Sequence, residues 1–173
     1  MLAKYYRKRG FVIAAEDEAT FGLIPHVVRG WARKGSRPVA RQNFQHKWRN
    51  VFAARSQTDF VFSFAKKKTQ KPFVNFLEKL HNDWGKVCLF VDGAPGHKGK
   101  LVDAFLAAHK KTFKMFKFLK YCPELNPVEQ CWKPAREATG KRMIRSIPTM
   151  LYHLRKTFQN RKLLPKMFNY LSG

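Results

Sequence analysis

Five consecutive apolar residues, Val87-Cys88-Leu89-Phe90-Val91, run directly into Asp92-Gly93. A strand that is apolar at every position has no side to give to water, so it has to be covered on both faces, and helices are the usual cover. The neighbouring sequence supplies them. Pro72 opens a pattern in which Phe73, Phe76, Leu77 and Leu80 recur at i, i+3, i+4 and i+7, ending near Trp84-Gly85; this is the spacing of an amphipathic helix. Leu101, Val102, Phe105 and Leu106 mark a second helix over Lys100 to His109, and the alternation in Phe113 to Leu119 predicts a strand after it. A further helix runs from Asn126 toward Gly140, and Ile147 to Asn160, with Pro148 near its start, reads as the closing helix.

Ahead of this block, Phe11 to Ala15 is short, rich in Phe, Val and Ile, and runs into Glu16-Asp17-Glu18, which reads as a strand ending in charge. Val51 to Arg55 and Phe60 to Phe64, around Ser56-Gln57-Thr58-Asp59, predict two antiparallel strands joined by a short turn. Between Gly22 and Asn50 the chain is broken by Pro25, Gly30, Gly35 and Pro38, so this arginine-rich stretch is expected to be a loop or hairpin insertion lying near the substrate. The order is three strands, helix, strand, helix, strand, then helices. That order predicts an α/β fold mixing hairpins with parallel crossovers, in one domain over residues 1–173 and with no internal repeat.

Charge narrows the partner. Thirty-five Lys and Arg stand against eleven Asp and Glu, a net +24, which costs self-repulsion unless a polyanion is the habitual partner. Nucleic acid fits best, and anionic membrane is the weaker alternative; Lys66-Lys67-Lys68 reads as a solvated turn or a phosphate contact. No apolar run approaches the roughly 18 residues that span a bilayer, and Met1 to Gly10 is basic with no apolar segment behind it, so a cytoplasmic protein is expected. The three cysteines, Cys88, Cys122 and Cys131, contain no CxxC pair and read as reduced packing residues.

In this basic chain the few acids stand out. Asp17 shares the alternation phase of Phe11, Ile13 and Ala15, which sets it at the edge of a buried face and turns Glu16 and Glu18 the other way. By itself the triplet also reads as a solvated strand end. Asp92 closes the apolar strand, and the carboxyl ends of parallel strands are where open α/β sheets place ligands; alone, it also reads as an ordinary turn. Glu129 stands three residues after Asn126 with Pro127 between them, so Asn126 as N-cap and Pro127 at the first helical position put Glu129 in the first turn. The same Asn-x-x-Glu spacing is also that of a capping box. Two-metal phosphodiester chemistry needs such acids, because Mg²⁺ is a hard ion that prefers oxygen ligands.

Taken together, the motifs resemble the insertion-sequence transposases of the mariner superfamily. The segments that carry the resemblance are Ala15-Glu16-Asp17-Glu18-Ala19-Thr20-Phe21, Trp31-Ala32-Arg33-Lys34-Gly35-Ser36-Arg37-Pro38, Leu89-Phe90-Val91-Asp92-Gly93-Ala94-Pro95-Gly96-His97 and Tyr121-Cys122-Pro123-Glu124-Leu125-Asn126-Pro127-Val128-Glu129-Gln130-Cys131-Trp132. The last is close to the family's Tyr-Ser-Pro-x-Leu-Asn-Pro-x-Glu-x-x-Trp signature, and the thirty-six residues between Asp92 and Glu129 are near the family's spacing. Cys122 stands where the family usually has Ser, and Lys120 where a Pro often precedes the Tyr.

The resemblance implies an RNase H-like mixed sheet, three antiparallel strands followed by parallel ones, flanked by helices. It implies that Asp17, Asp92 and Glu129 bind two Mg²⁺ or Mn²⁺ ions and carry out hydrolysis at transposon ends and strand transfer of the 3′-hydroxyl into target DNA. His97 and Asn126 are expected to assist. The implied partners are transposon-end and target DNA, a second copy of the chain in a synaptic complex, and a separate DNA-binding half, in a prokaryotic, nucleoid-associated setting. Relatives carry helix-turn-helix modules ahead of this core, whereas here a basic stretch of about ten residues precedes the first strand, so end recognition is expected to lie elsewhere. Arg29, Trp31, Arg33, Lys34, Arg37, Arg41, Lys47 and Arg49, with Trp48 interleaved, suit phosphate contacts and base stacking. Trp132 shares a helical face with Glu129 and is expected to pack. A non-transposing nuclease on the same fold, or a basic DNA-binding module without catalysis, fits the same residues.

Overall fold

The computed structural model describes residues 2–24, 31–37, 39, 43–118, 126–140, 142–160 and 162. A short helix α1 (Leu2–Arg7) precedes strands β1 (Val12–Gly22), β2 (Trp48–Ser56) and β3 (Phe60–Ala65). Helix α2 (Gln70–Trp84), strand β4 (Val87–Val91), a 3-10 turn (Pro95–His97), helix α3 (Lys100–Ala108) and strand β5 (Phe113–Lys117) follow. Helices α4 (Glu129–Gly140) and α5 (Ile147–Gln159) close the order.

The strands form one sheet in the order β3-β2-β1-β4-β5. β1, β2 and β3 pair antiparallel, whereas β4 pairs parallel with both β1 and β5. Cover on both faces, anticipated from the β4 run, comes from two helix pairs. On one face Ala14, Phe52, Ala54, Val87, Leu89 and Val91 pack with Phe73, Phe76, Leu77 and Leu80 of α2 and Val102 and Phe105 of α3. On the other, Ile13, Ala15, Ala19, Phe21, Val51, Ala53 and Cys88 meet Cys131, Trp132 and Ala135 of α4 and Met150, Leu154 and Phe158 of α5. Burial of each large side chain among these contributes on the order of 1.5–3 kcal/mol.

Element boundaries differ from the sequence reading where long-range pairing takes over. β1 does not end at its acids but runs on to Gly22, because β2 pairs with it residue for residue from Ala14↔Ser56 to Gly22↔Trp48. Ala19 and Phe21 keep feeding the core, and the Thr20 hydroxyl donates to Asn50 Oδ1 at 2.8 Å. The connection to β2 is therefore residues 23–47, and Trp48, Arg49 and Asn50 are strand residues rather than loop. α2 begins two residues before Pro72, whose missing N–H falls among the first-turn amides that lack an intrahelical partner. α4 starts at Glu129, after a turn through Pro127 and Val128, instead of at Pro127. α1 had no periodic signature; Tyr6 fixes it to the sheet through ring contacts with Phe11 at 5.2 Å and Phe116 at 5.5 Å. Among the described residues no helix is long and apolar enough to cross a membrane.

Candidate active site

Alternation along β1 sends Asp17 to the α4–α5 face and Glu16 and Glu18 to the α2–α3 face. Asp17 is 8% exposed and its Oδ2 accepts the indole N–H of Trp132 at 2.6 Å. Its carboxyl is raised from 3.8 to about 6, first by burial and then by repulsion from Glu129 and Asp92, against the opposing pull of the Trp132 N–H. Both other sequence-nominated acids thus act on Asp17 electrostatically, although the three do not bring ligand atoms within 4.8 Å of one another. Asp92 follows β4 on the phase of Cys88 and Phe90, which belong to the same face. Its Oδ1 accepts the Ala94 amide at 2.8 Å and lies 2.9 Å from His97 Nδ1. The His97 hydrogen bond, opposed by partial burial, holds the Asp92 carboxyl below the usual range. Glu129 is the first residue of α4 and is exposed.

Asn126 fastens the helix start to the sheet. Its Nδ2 donates to the Glu16 carbonyl at 2.9 Å, its Oδ1 accepts the Val128 amide at 3.1 Å, and its own carbonyl accepts the Glu129 amide at 3.2 Å. One buried side chain thus ties the strand of Asp17 to the turn that presents Glu129.

On the opposite face sits a second polar cluster that sequence reasoning missed. His97, 2% exposed, stacks on Phe73 at 4.2 Å between ring centroids. Its Nε2 is 3.2 Å from Glu18 Oε1 and 3.4 Å from Glu16 Oε2. The Glu16 contact is at ion-pair distance but does not have hydrogen-bond geometry, and both Glu16 oxygens lack a hydrogen-bond donor. Lys68 joins from the turn after β3, with Nζ 3.6 Å from Glu18 Oε2 and donating to the Glu18 carbonyl at 3.2 Å. The lysine run is thus not purely solvated.

Two sets of side chains could hold a metal on spacing or chemistry. Glu16, Glu18 and His97 each offer a ligand atom within 4.8 Å of the others. Burial lowers the His97 pKa, but hydrogen bonds to Asp92 and Glu18 and the charge of Glu16 outweigh it and raise it to about 10. Without a metal this imidazolium is the cation of its own cluster, and a metal bound there would have to displace its proton. Glu16 stays well above the carboxylate range, pushed there by burial despite the His97 charge. The Asp17, Asp92 and Glu129 set is different in kind: all oxygen donors, and acids whose mutual repulsion on Asp17 a divalent cation would cancel. That donor set fits Mg²⁺ or Mn²⁺.

Of the nominated DNA contacts, Trp31, Arg33, Lys34, Arg37 and Lys47 are exposed, Arg49 is half-buried, and Arg29 and Arg41 lie outside the described residues. The segment approaching β2 is pinned by Asn43, 8% exposed, whose Nδ2 donates to the carbonyls of Ile144 and Arg145 at 2.8 and 3.3 Å. Cys88 and Cys131 are free and buried, their thiols pushed up to about 12 and about 11 mainly by burial, so they are packing groups. Cys122 lies outside the described residues.

The fold has solved counterparts. The Mos1 transposase paired-end complex with left transposon end superposes with a TM-score of 0.69 at 17% identity, over 99% of this chain and 57% of that one. The mariner Mos1 paired end complex with Mg gives 0.67 at 18%, over 94% of this chain and 53% of the other. The catalytic domain of Mos1 mariner transposase gives 0.64 at 15%, over 92% and 76%. At these identities the likeness is one of fold, and the chain spans about half the length of the transposase chains in the two complexes. The mixed five-stranded sheet flanked by helices is thus the RNase H-like fold of that catalytic domain. No curated protein matches the sequence. The family described as DDE superfamily endonuclease matches residues 13–151, most of the chain, and this protein belongs to that family.

Proposed function

We propose that this chain is the catalytic domain, 1–173, of a DNA transposase whose cutting and joining centre is Asp17, Asp92 and Glu129. The observation that carries the reading is the family match over residues 13–151 together with the buried links that join its acids: Trp132 of α4 bonds Asp17, and Asn126 ties the strand of Asp17 to the turn before Glu129. Each acid has a defined support. The Trp132 indole holds one oxygen of Asp17, the Ala94 amide and His97 fix one oxygen of Asp92, and Asn126 secures the turn before Glu129. His97 is buried, so it acts through Asp92 rather than on DNA.

Two bound Mg²⁺ or Mn²⁺ ions would supply the Lewis acidity that activates water and stabilises a leaving oxygen. The protein's own task is then to keep three carboxylates ionised and aimed, and to hold the scissile phosphate beside them in line with its attacker. The same centre serves water in the nick and the freed 3′-hydroxyl in joining, so no covalent protein–DNA bond is required. Net charge of +24 supports DNA as partner. The Mos1 paired-end complexes support transposon-end DNA as a partner, and the family resemblance supports a second copy of the chain and a separate DNA-binding half. The resemblance to insertion-sequence transposases supports a prokaryotic cytoplasm, and the charge supports a place alongside nucleic acid.

The test is metal-dependent nicking of supercoiled DNA and joining of a labelled 3′-hydroxyl end. Asp92→Ala and Glu129→Ala should each lower both by at least roughly a hundredfold, as expected for losing a metal-held transition-state interaction. Variants as active as the parent would sink the site assignment, and nicking without joining would leave a nuclease.

A further inference from the structure

A cleft lies where β2 and α5 begin, lined by His46, Lys47, Trp48, Arg49, Lys66 and Ile147, with a volume of about 320 Å³. We propose that it takes an unpaired DNA base, stacked on Trp48, with its phosphate against Lys47, Arg49 and Lys66. The proposal rests on the DNA reading above and adds to it a site and a substrate feature.

The lining joins two chemistries rarely set side by side. Trp48 is 53% exposed, a large aromatic face at the first residue of a strand, with Ile147 as its apolar neighbour. Among the described residues, three cations and no acid line the cleft with them. Bare phosphate has no use for the indole, and a neutral aromatic ligand has none for the cations; a nucleotide uses both. A base inside duplex DNA has its faces covered by its neighbours and shows only edges in the grooves. Stacking on Trp48 therefore selects a base that is flipped, frayed or in a single strand. A second copy of this chain would bring +24 against these same cations, which disfavours it as occupant.

The cleft is built rather than incidental. Asn43 pins the incoming segment to Ile144 and Arg145, and the Leu23 amide donates to the Lys47 carbonyl at 3.0 Å. Asn50, 5% exposed, donates from Nδ2 to the Lys66 carbonyl at 3.1 Å while accepting from Thr20. Arg49 Nη1 donates to the Trp48 carbonyl at 2.9 Å, and Ser146 caps the helix that brings Ile147. The strand register also sets its distance from the proposed cutting centre, since Trp48 pairs with Gly22 and Ala53 with Asp17. Five residues at about 3.3 Å each give about 17 Å, or about five stacked nucleotides at about 3.4 Å.

The experiment compares a fully paired duplex with one carrying a single unpaired 2-aminopurine about five nucleotides from a nick. Binding is read by anisotropy and stacking by 2-aminopurine quenching, for the parent, Trp48→Ala, Trp48→Phe and Lys66→Ala. The parent should prefer the unpaired substrate by roughly tenfold and quench it. Trp48→Ala should lose both preference and quench, Trp48→Phe should keep most of each, and Lys66→Ala should weaken binding to both duplexes. Equal binding of the two duplexes by the parent, or preference and quench surviving in Trp48→Ala, overturns the cleft but leaves the DNA reading intact. Failure of the parent to bind either duplex overturns the DNA reading itself. Loss of a dimer in Trp48→Ala by sedimentation, with DNA preference unchanged, makes the cleft a contact between copies and also overturns the proposal.

Discussion

At Asp17 the proposed role sets two requirements against each other: a metal ligand has to be ionised, and a buried carboxyl resists ionisation. The Trp132 N–H at 2.6 Å favours the charged form, but burial and the neighbouring acids keep the carboxyl at about 6. Because the folded carboxyl binds its proton more tightly than the unfolded one, this group favours folding fully below pH 3.8, and that contribution is lost as pH rises through about 6. A displacement of that size corresponds to at most about 3 kcal/mol. Metal-free protein should therefore lose thermal stability between pH 4 and 6.5 from this residue, and Asp17→Asn should remove the loss while raising Tm at pH 7.5 by a few degrees. Scanning calorimetry with chelator decides it, and a Tm for Asp17→Asn below the parent at pH 7.5 would show that the charge is already compensated. Trp132→Phe keeps the packing and deletes the donor. It should raise the Asp17 pKa further, weaken Mn²⁺ binding by roughly 10–100-fold, and move the rising limb of the nicking pH profile upward. An unshifted pH profile would reduce Trp132 to a packing residue.

Whole elements were legible where local pattern and burial agree. The apolar β4 run announced its own double burial and the place of Asp92 at its end, and β1 alternation put Asp17 on the buried face of Phe11, Ile13 and Ala15. What sequence could not supply was partnership at a distance. The acids of β1 read as a stop because nothing nearby pays for them, yet their partners are His97, 79 residues from Glu18, and Lys68, 50 residues from it. Trp132 lies 115 residues from the carboxylate it bonds, and its spacing three after Glu129 was the one available hint. The 3-10 turn Pro95–His97 is the device that makes β1 and β4 one electrostatic unit. His97 is raised from 6.5 to about 10, so its contribution is complete below pH 6.5 and is lost as pH climbs through about 10. His97→Gln should cost on the order of 1–3 kcal/mol at neutral pH, for taking a charged hydrogen-bond donor from Glu18 and Asp92, and should flatten the fall in Tm between pH 7 and 10. A variant with the parent's alkaline profile would show that His97 is neutral in the fold.

At the scale of the whole molecule, the proposed acid centre lies inside a chain of net charge +24, and the two charges make opposite demands on DNA. Exposed lysines and arginines such as Arg33, Lys34, Lys66 and Lys67 attract the backbone anywhere, whereas Asp17, Asp92 and Glu129 repel a phosphate until cations neutralise them. Monovalent salt should therefore weaken binding in proportion to the phosphates contacted. Six contacts give a slope of about −5 in a plot of the logarithm of the association constant against log salt concentration. Divalent ion at constant ionic strength should act the other way, strengthening binding of nicked DNA in the parent and leaving Asp92→Ala unmoved. A salt slope near zero would remove the basic surface from the account. Equal divalent enhancement in the parent and in Asp92→Ala would instead place the cations on the DNA, because only a centre that repels phosphate when empty has anything to gain from being filled.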